Sequence, residues 1–198
     1  MVTKMICDLL WNWCNYIGPS LIFATVSIML LWCVQKLGWK EVVSGVWNKL
    51  RNERQWIYRY LFLMYTYFIL DRTLLSRHFA WTNGMKHVLT GGWGLYAVDT
   101  GEFTYEAVEN FMFFIPLIIL CFATFESNNR FTGFIKCVKK SFLIGSGLSM
   151  FIEINQLFFK VGEFQVADLV YNTAGAVLGG CIYKAIIKIK NLRQEEKV

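Results

Sequence analysis

The sequence predicts an all-α polytopic membrane helix bundle of about five transmembrane helices, with the amino terminus outside and the carboxy terminus cytoplasmic. Three observations predict it. Of 198 residues, 56% are hydrophobic and only 17% charged, and the mean hydropathy is +0.40, too apolar for a soluble domain of this size. The apolar residues come in blocks near the ~20 residues that a helix needs to cross a ~30 Å hydrocarbon core. Finally, lysine and arginine are sorted between alternate loops. With five spans, fifteen of the twenty fall on the side that receives the loops after spans one and three and the tail. Lys4, Arg72, Arg77, Lys86 and Lys160 fall on the other, and the basic side faces the cytoplasm. The net charge of +6 therefore reports topology, and no nucleic-acid partner is expected.

Residues 1–55 are predicted to hold the first span and a basic cytoplasmic helix, residues 56–190 the remaining transmembrane domain, and residues 191–198 a cytoplasmic tail. Trp11, Trp13 and Tyr16 are amphipathic aromatics suited to the membrane interface. Only Lys4 precedes the apolar run and no small-residue cleavage site follows it, so a cleavable signal peptide is not expected. The first span, about Ile17 to Val34, is an apolar anchor. Lys36, Lys40, Lys49, Arg51 and Arg54 then alternate with Trp39, Val42, Val43, Val46, Trp47 and Leu50, the pattern of an amphipathic helix on an anionic leaflet.

The second span, about Trp56 to Leu75, ends on Asp71 and Arg72. Residues 76–107 form the longest connection. Glycines from Gly91 to Gly94 break any helix there, while Phe79, Trp81, Trp93, Leu95 and Tyr96 suit an interfacial or re-entrant cover. The third span, about Val108 to Thr124, opens with Glu109 and Asn110 and contains Pro116, which predicts a kink. Six cysteines, Cys7, Cys14, Cys33, Cys121, Cys137 and Cys181, lack both the pairing of a zinc site and the density of a disulfide scaffold. They read as apolar filler. Cys7 and Cys14 would stand roughly 10 Å apart on a helix, beyond disulfide reach.

Spans four and five, from Ser141 to Lys188 with a turn at Lys160 to Gln165, carry the most informative pattern. Ser146, Ser149, Glu153 and Gln156 share one helical face, and so do Asp168, Asn172, Gly175 and Gly179. Carboxylates and amides are expensive in hydrocarbon, so such faces turn toward protein or water. Spans two and four travel outward while three and five travel inward. Asp71, Arg72, Glu109, Asn110, Glu153, Gln156, Asp168 and Asn172 therefore gather in the outer half, with Glu153 about 10 Å below the boundary. Two carboxylates in a poorly solvated pocket should not both stay ionised without a cation, which Arg72 or Arg77 can supply. Gly175 and Gly179 form a small-xxx-small pair suited to close helix packing. His78 and His87 lack the HExxH spacing of a zinc protease, and neither metal nor cofactor is expected. Ser146 and Ser149 have no histidine in any span to act as base, which disfavours serine hydrolysis.

Glu153-Ile-Asn-Gln156, followed by Asp168-Leu-Val-Tyr-Asn172-Thr-Ala-Gly175-Ala-Val-Leu-Gly179-Gly180, resembles the signature of the VanZ-like membrane proteins, whose founding member gives low-level teicoplanin resistance. Thr73-Leu-Leu-Ser-Arg77 and Asn110-Phe-Met-Phe-Phe-Ile-Pro116 fit the same pattern, and the resemblance covers roughly Arg59 to Tyr183. Gly162, Gln165 and Ala167 stand where the family usually carries an arginine and further acidic residues. The resemblance implies a multi-pass protein of the bacterial cell membrane whose outward polar pocket meets membrane lipids and a lipid-linked envelope component or lipoglycopeptide. The pocket expected is Arg77, Asn110, Glu153, Gln156, Asp168 and Asn172, with Asp71, Arg72 and Glu109 as secondary members. Two other readings stay open. One is an intramembrane enzyme on a lipid-linked substrate with Glu153 or Asp168 as general base, though no nucleophile or metal motif accompanies them. The other is a scaffold or small transporter in which the same groups join helices or relay protons.

Overall fold

A computed structural model describes residues 16–30, 38–77, 84–126 and 133–195. Trp11, Trp13, Lys4, Cys7, Cys14, the end of the first span with Cys33, Lys36, and His78, Phe79 and Trp81 lie outside the described residues. Within them the chain is helical, with one isolated antiparallel bridge, Tyr96 to Phe103, in the long connection. The helices are α1 (Tyr16–Leu30), α2 (Trp39–Asn52), α3 (Arg54–Leu70), α4 (Glu106–Phe125), α5 (Phe134–Phe159) and α6 (Val166–Glu195). Three of them, α4, α5 and α6, are long and apolar enough to cross a membrane.

The basic segment forms α2 as its periodicity predicts, and its apolar residues divide between two directions. Val42 and Val46 are buried with Ile28 of α1, and Leu50, Trp56, Tyr60 and Leu63 pack around them. Val43 and Trp47 remain exposed. α3 then runs directly into a π-helical turn, Asp71–Leu75, where the wider winding carries Asp71 and Thr73 inward. Pro116 lies inside α4 and offers no N–H to the carbonyl one turn earlier. Beside that gap Tyr65 Oη of α3 donates to Phe113 O at 3.1 Å. The surrounding core is aromatic and aliphatic: Phe68, Ile69, Phe114, Leu117, Ile118 and Phe122.

α6 is the central element. It packs along both α4 and α5, while those two scarcely touch. Its surface explains why. A Cβ on Gly175 would strike the backbone of Phe111, and one on Gly179 would lie 2.5 Å from Ile115 O, so this pair meets the α4 main chain directly. The adjacent stripe faces α5: a Cβ on Gly180 would overlap Ser141, and Gly145 of α5 has room only for Ala176. α5 answers with a buried stripe of Cys137, Ser141, Gly145, Ser149, Ile152, Glu153 and Gln156. That stripe advances mostly by fours and passes through Gly145, so Ser146 sits to one side of it, where its hydroxyl donates to Leu143 O.

Replacing Gly175 or Gly179 by Ala should therefore separate α6 from α4 and lower stability by about 1–3 kcal/mol, the usual cost of overpacking. Gly147 has nothing within 4 Å of its missing Cβ, and Ala there should raise stability by up to about 1 kcal/mol through helix propensity. Thermal unfolding of the three variants in detergent checks both signs.

Candidate functional site

At one end of the bundle the α5–α6 turn brings the two polar faces together. α5 stops where Lys160 adopts the left-handed conformation (φ 55°), and Val161 N–H donates back to Gln156 O at 3.0 Å. The turn then folds over the helix it has left, and Gln165 N–H donates to Glu153 Oε2 at 3.0 Å. Glu153 is 1% exposed, so this amide gives a buried carboxylate one of the donors it needs. One turn on, Gln156 Nε2 donates to Thr73 O at 3.0 Å, which ties α5 to the π-helical turn after α3.

Asp168 stands in the first turn of α6, where the helix dipole favours a carboxylate. It is 8% exposed and close enough to Glu153 for the two charges to act on each other, with Asn110 of α4 against it and Arg77 and Glu106 both within electrostatic reach. One turn deeper, Asn172 Nδ2 donates to Ser149 Oγ at 2.8 Å, a buried bond between α6 and α5. All six residues expected in the pocket, Arg77, Asn110, Glu153, Gln156, Asp168 and Asn172, thus converge from four parts of the chain. Arg77 reaches Glu106 at 3.4 Å with both side chains partly exposed.

The three secondary members are placed differently. Asp71 Oδ1 accepts from Ser76 Oγ at 2.8 Å and Asp71 O from Ser76 N–H, so its side chain closes the π-helical turn on itself. Arg72 pairs with the buried Glu109 of α4 at 2.9 Å. The pair locks the π-helical turn to α4, and among the described contacts neither residue reaches the Glu153–Asp168 carboxylates.

Sequence reasoning missed two sets of residues. It places Glu106 and Gln165 in the connections that precede their helices and leaves them out of the pocket, although each continues the polar face of the helix that follows it. The other set lies in residues 84–103, which cover the site. Phe164 N–H donates to Gly84 O (2.8 Å) and Val166 N–H to Val88 O (2.9 Å), and Tyr171 Oη donates to Trp93 O at 3.0 Å. Gly92, at φ +76°, passes so close to Gln165, Ala167 and Asp168 that any Cβ would collide. His87 fastens this cover: Nδ1 is 3.0 Å from Glu163 in the α5–α6 turn and Nε2 is 3.2 Å from Asp99. Lys86 also bonds to Asp99 and holds its carboxyl below the usual range. The three side chains bring ligating atoms within 4.8 Å of one another, but each imidazole nitrogen faces a different carboxylate. The ring therefore acts as a clasp between two segments.

The donor and acceptor count around the carboxylates is unbalanced. Gln165 Oε1, Asp168 Oδ1 and Asn172 Oδ1 are buried acceptors without a hydrogen-bond partner, whereas Gln156 Nε2, Gln165 N–H and Asn172 Nδ2 are committed to Thr73, Glu153 and Ser149. Thr173 Oγ1 is also buried and unpartnered. Buried polar groups are normally satisfied, so several oxygens in one small region mark a place that takes donors.

A model of the VanZ/LLP1 family matches residues 23–188. No curated protein and no solved structure matches.

The two arginine pairs should respond unequally to neutralisation. Arg72→Gln strands the carboxylate of Glu109, which is 6% exposed, and should cost near the low end of the ~3–5 kcal/mol of a broken buried pair. Arg77→Gln opens a pair that is 27% and 42% exposed, and loss of that contact alone should cost below about 1 kcal/mol. Denaturation of the two variants side by side in one detergent measures the difference.

Proposed function

This chain belongs to the VanZ/LLP1 family, and from that premise we propose that it is a multi-pass protein of the bacterial cell membrane that binds a lipid-linked envelope component or lipoglycopeptide and so lowers susceptibility to drugs such as teicoplanin. α1 and α3 complete a set of five crossings with α4, α5 and α6, and α2 lies on the cytoplasmic leaflet. The amino terminus is outside and the carboxy terminus cytoplasmic, as the distribution of lysine and arginine supports. The Glu153–Asp168 end of the bundle then faces outward, within reach of lipid headgroups and of ligands held at the outer surface.

One observation carries this reading: two buried carboxylates lie within electrostatic reach of each other, in a region where buried acceptor oxygens have no donor. Groups that only join helices end up paired, as Asn172 Nδ2 and Ser149 Oγ are, and such bonds are worth about 0.6–2 kcal/mol. Leaving Asp168 Oδ1 and Gln165 Oε1 unpaired weakens the protein by itself, so their placement favours a ligand over a scaffold. The charge pattern at the mouth, Arg77 against Glu106, adds a cation that can exchange partners with an anionic part of that ligand. Catalysis gains no comparable support, because among the described residues no nucleophile with a neighbouring base stands beside the carboxylates.

Glu153→Gln keeps the shape and removes the charge. Expressed at the level of the parent protein, it should lose any reduction of teicoplanin susceptibility that the parent confers, and Asp168→Asn should do the same. Growth inhibition measured with membrane protein levels in the same cells is the test. Normal protein level with unchanged drug response in both variants would remove the support for a binding site.

A further inference from the structure

We propose that the group held between α5, α6 and the 84–103 cover is the primary ammonium of a phospholipid headgroup, an inference that rests on the binding role given above to the same site. The argument is one of matching valence. A primary ammonium offers three N–H donors and no acceptor. The site offers three buried oxygens that have no donor, Gln165 Oε1, Asp168 Oδ1 and Asn172 Oδ1.

Gln165 Oε1 and Asp168 Oδ1 face the same stretch of the cover, both within 3.3 Å of the point where a Cβ on Gly92 would stand. Asn172 follows Asp168 one turn along the same face. Asn172 is 4% exposed and its amide nitrogen is already fixed by Ser149, so its oxygen cannot exchange places with the nitrogen without breaking that bond.

Charge selects a cation over a neutral donor. Glu153, Asp168 and Glu106 act on one another, and among the described residues Arg77 is the basic side chain that acts on both buried carboxylates. Three carboxylates against one guanidinium leave room for a positive group, and a buried charge is tolerated where it is both paired and hydrogen-bonded. Arg77 also says what else the ligand carries. Its guanidinium, one quarter exposed, pairs with the more exposed Glu106, and a guanidinium of this kind is suited to a phosphate. An ammonium a few atoms from a phosphate is the headgroup of phosphatidylethanolamine. The exposed apolar faces of α5 and α6 beside the site, with Phe151, Ile154, Phe158 and Val170, are where its acyl chains would lie.

The test is a binding series on the purified full chain in nanodiscs or detergent, read by native mass spectrometry. The probes are phosphatidylethanolamine, its mono- and dimethyl homologues, phosphatidylcholine and phosphatidylglycerol, all with the same acyl chains. Each N-methylation removes one donor while the charge remains. Affinity should fall stepwise, with phosphatidylcholine at least about tenfold weaker than phosphatidylethanolamine, the scale of a charge-assisted hydrogen bond. Asp168→Asn and Gln165→Leu should reduce phosphatidylethanolamine to that weaker level, whereas Ser146→Ala, off the buried stripe, should leave it unchanged. Equal affinity across the methylated series in the parent chain overturns the proposal even if no variant folds. Phosphatidylglycerol bound in preference to phosphatidylethanolamine, and lost with Asp168→Asn, overturns the ammonium but keeps the site. Binding of every lipid unaffected by Asp168→Asn overturns the ammonium as well, and the drug response of Glu153→Gln then decides the wider reading separately.

Discussion

α6 lies between α4 and α5 because it presents almost no side chain to either of them. Gly175 and Gly179 admit the α4 backbone at Phe111 and Ile115, and Gly180 and Ala176 admit Ser141 and Gly145 of α5. In lipid there is no water to expel between helices, so attraction depends on contact distance and on dispersion across it. Backbone-to-backbone contact is the means available to a glycine face. The rest of the arrangement follows from that approach, since a wider gap would move the start of α6 away from the end of α5. Glu153 and Asp168 would then no longer share one desolvated space.

The polar end is built of two layers with different tasks. The inner layer joins elements: Asn172 to Ser149, Gln156 to Thr73, and Arg72 to Glu109. Each of these is a bond between two elements, although Arg72 Nε is left without an acceptor. The π-helical turn at Asp71–Leu75 makes two of the three possible, because the wider winding brings Thr73 and Arg72 to bear on α5 and α4 in succession. π-bulges often stand near functional sites for this reason: one extra residue re-aims the side chains around it. The outer layer, Gln165, Asp168 and the oxygen of Asn172, has acceptors in excess. Three unpartnered acceptors gathered at one face organise it to be completed by donors from something else.

Residues 84–103 set the boundary of that face. Backbone bonds from Phe164 and Val166, the hydroxyl of Tyr171 and the clasp of His87 between Glu163 and Asp99 hold the segment over the carboxylates. Most of these contacts are peripheral and partly hydrated, and such contacts are individually weak. The close approach is confined to Gly91 and Gly92, where the lack of a Cβ lets main chain lie directly on Gln165 and Asp168. The cover thus meets the site by shape at its centre and by polar contacts at its edge.

The sequence by itself determined the helical membrane character, the basic amphipathic helix and the two polar faces that meet around Glu153 and Asp168. Each rests on a local period or on composition, and both are legible without knowing what lies opposite. Tertiary structure decided what each polar group does. Arg77 and Arg72 look equivalent in the chain, yet one lies at the mouth of the site and the other locks a π-helical turn to α4. Asp71, grouped with them by depth, folds back on Ser76. Ser146 was assigned by spacing to a stripe that Gly145 occupies, because the path of that stripe is set by the glycine face of α6 opposite. The His87 clasp belongs to no period at all, so only the folding of the long connection over the α5–α6 turn could bring it to the site. Periodicity gives direction about one helix axis; pairing needs the position of a second.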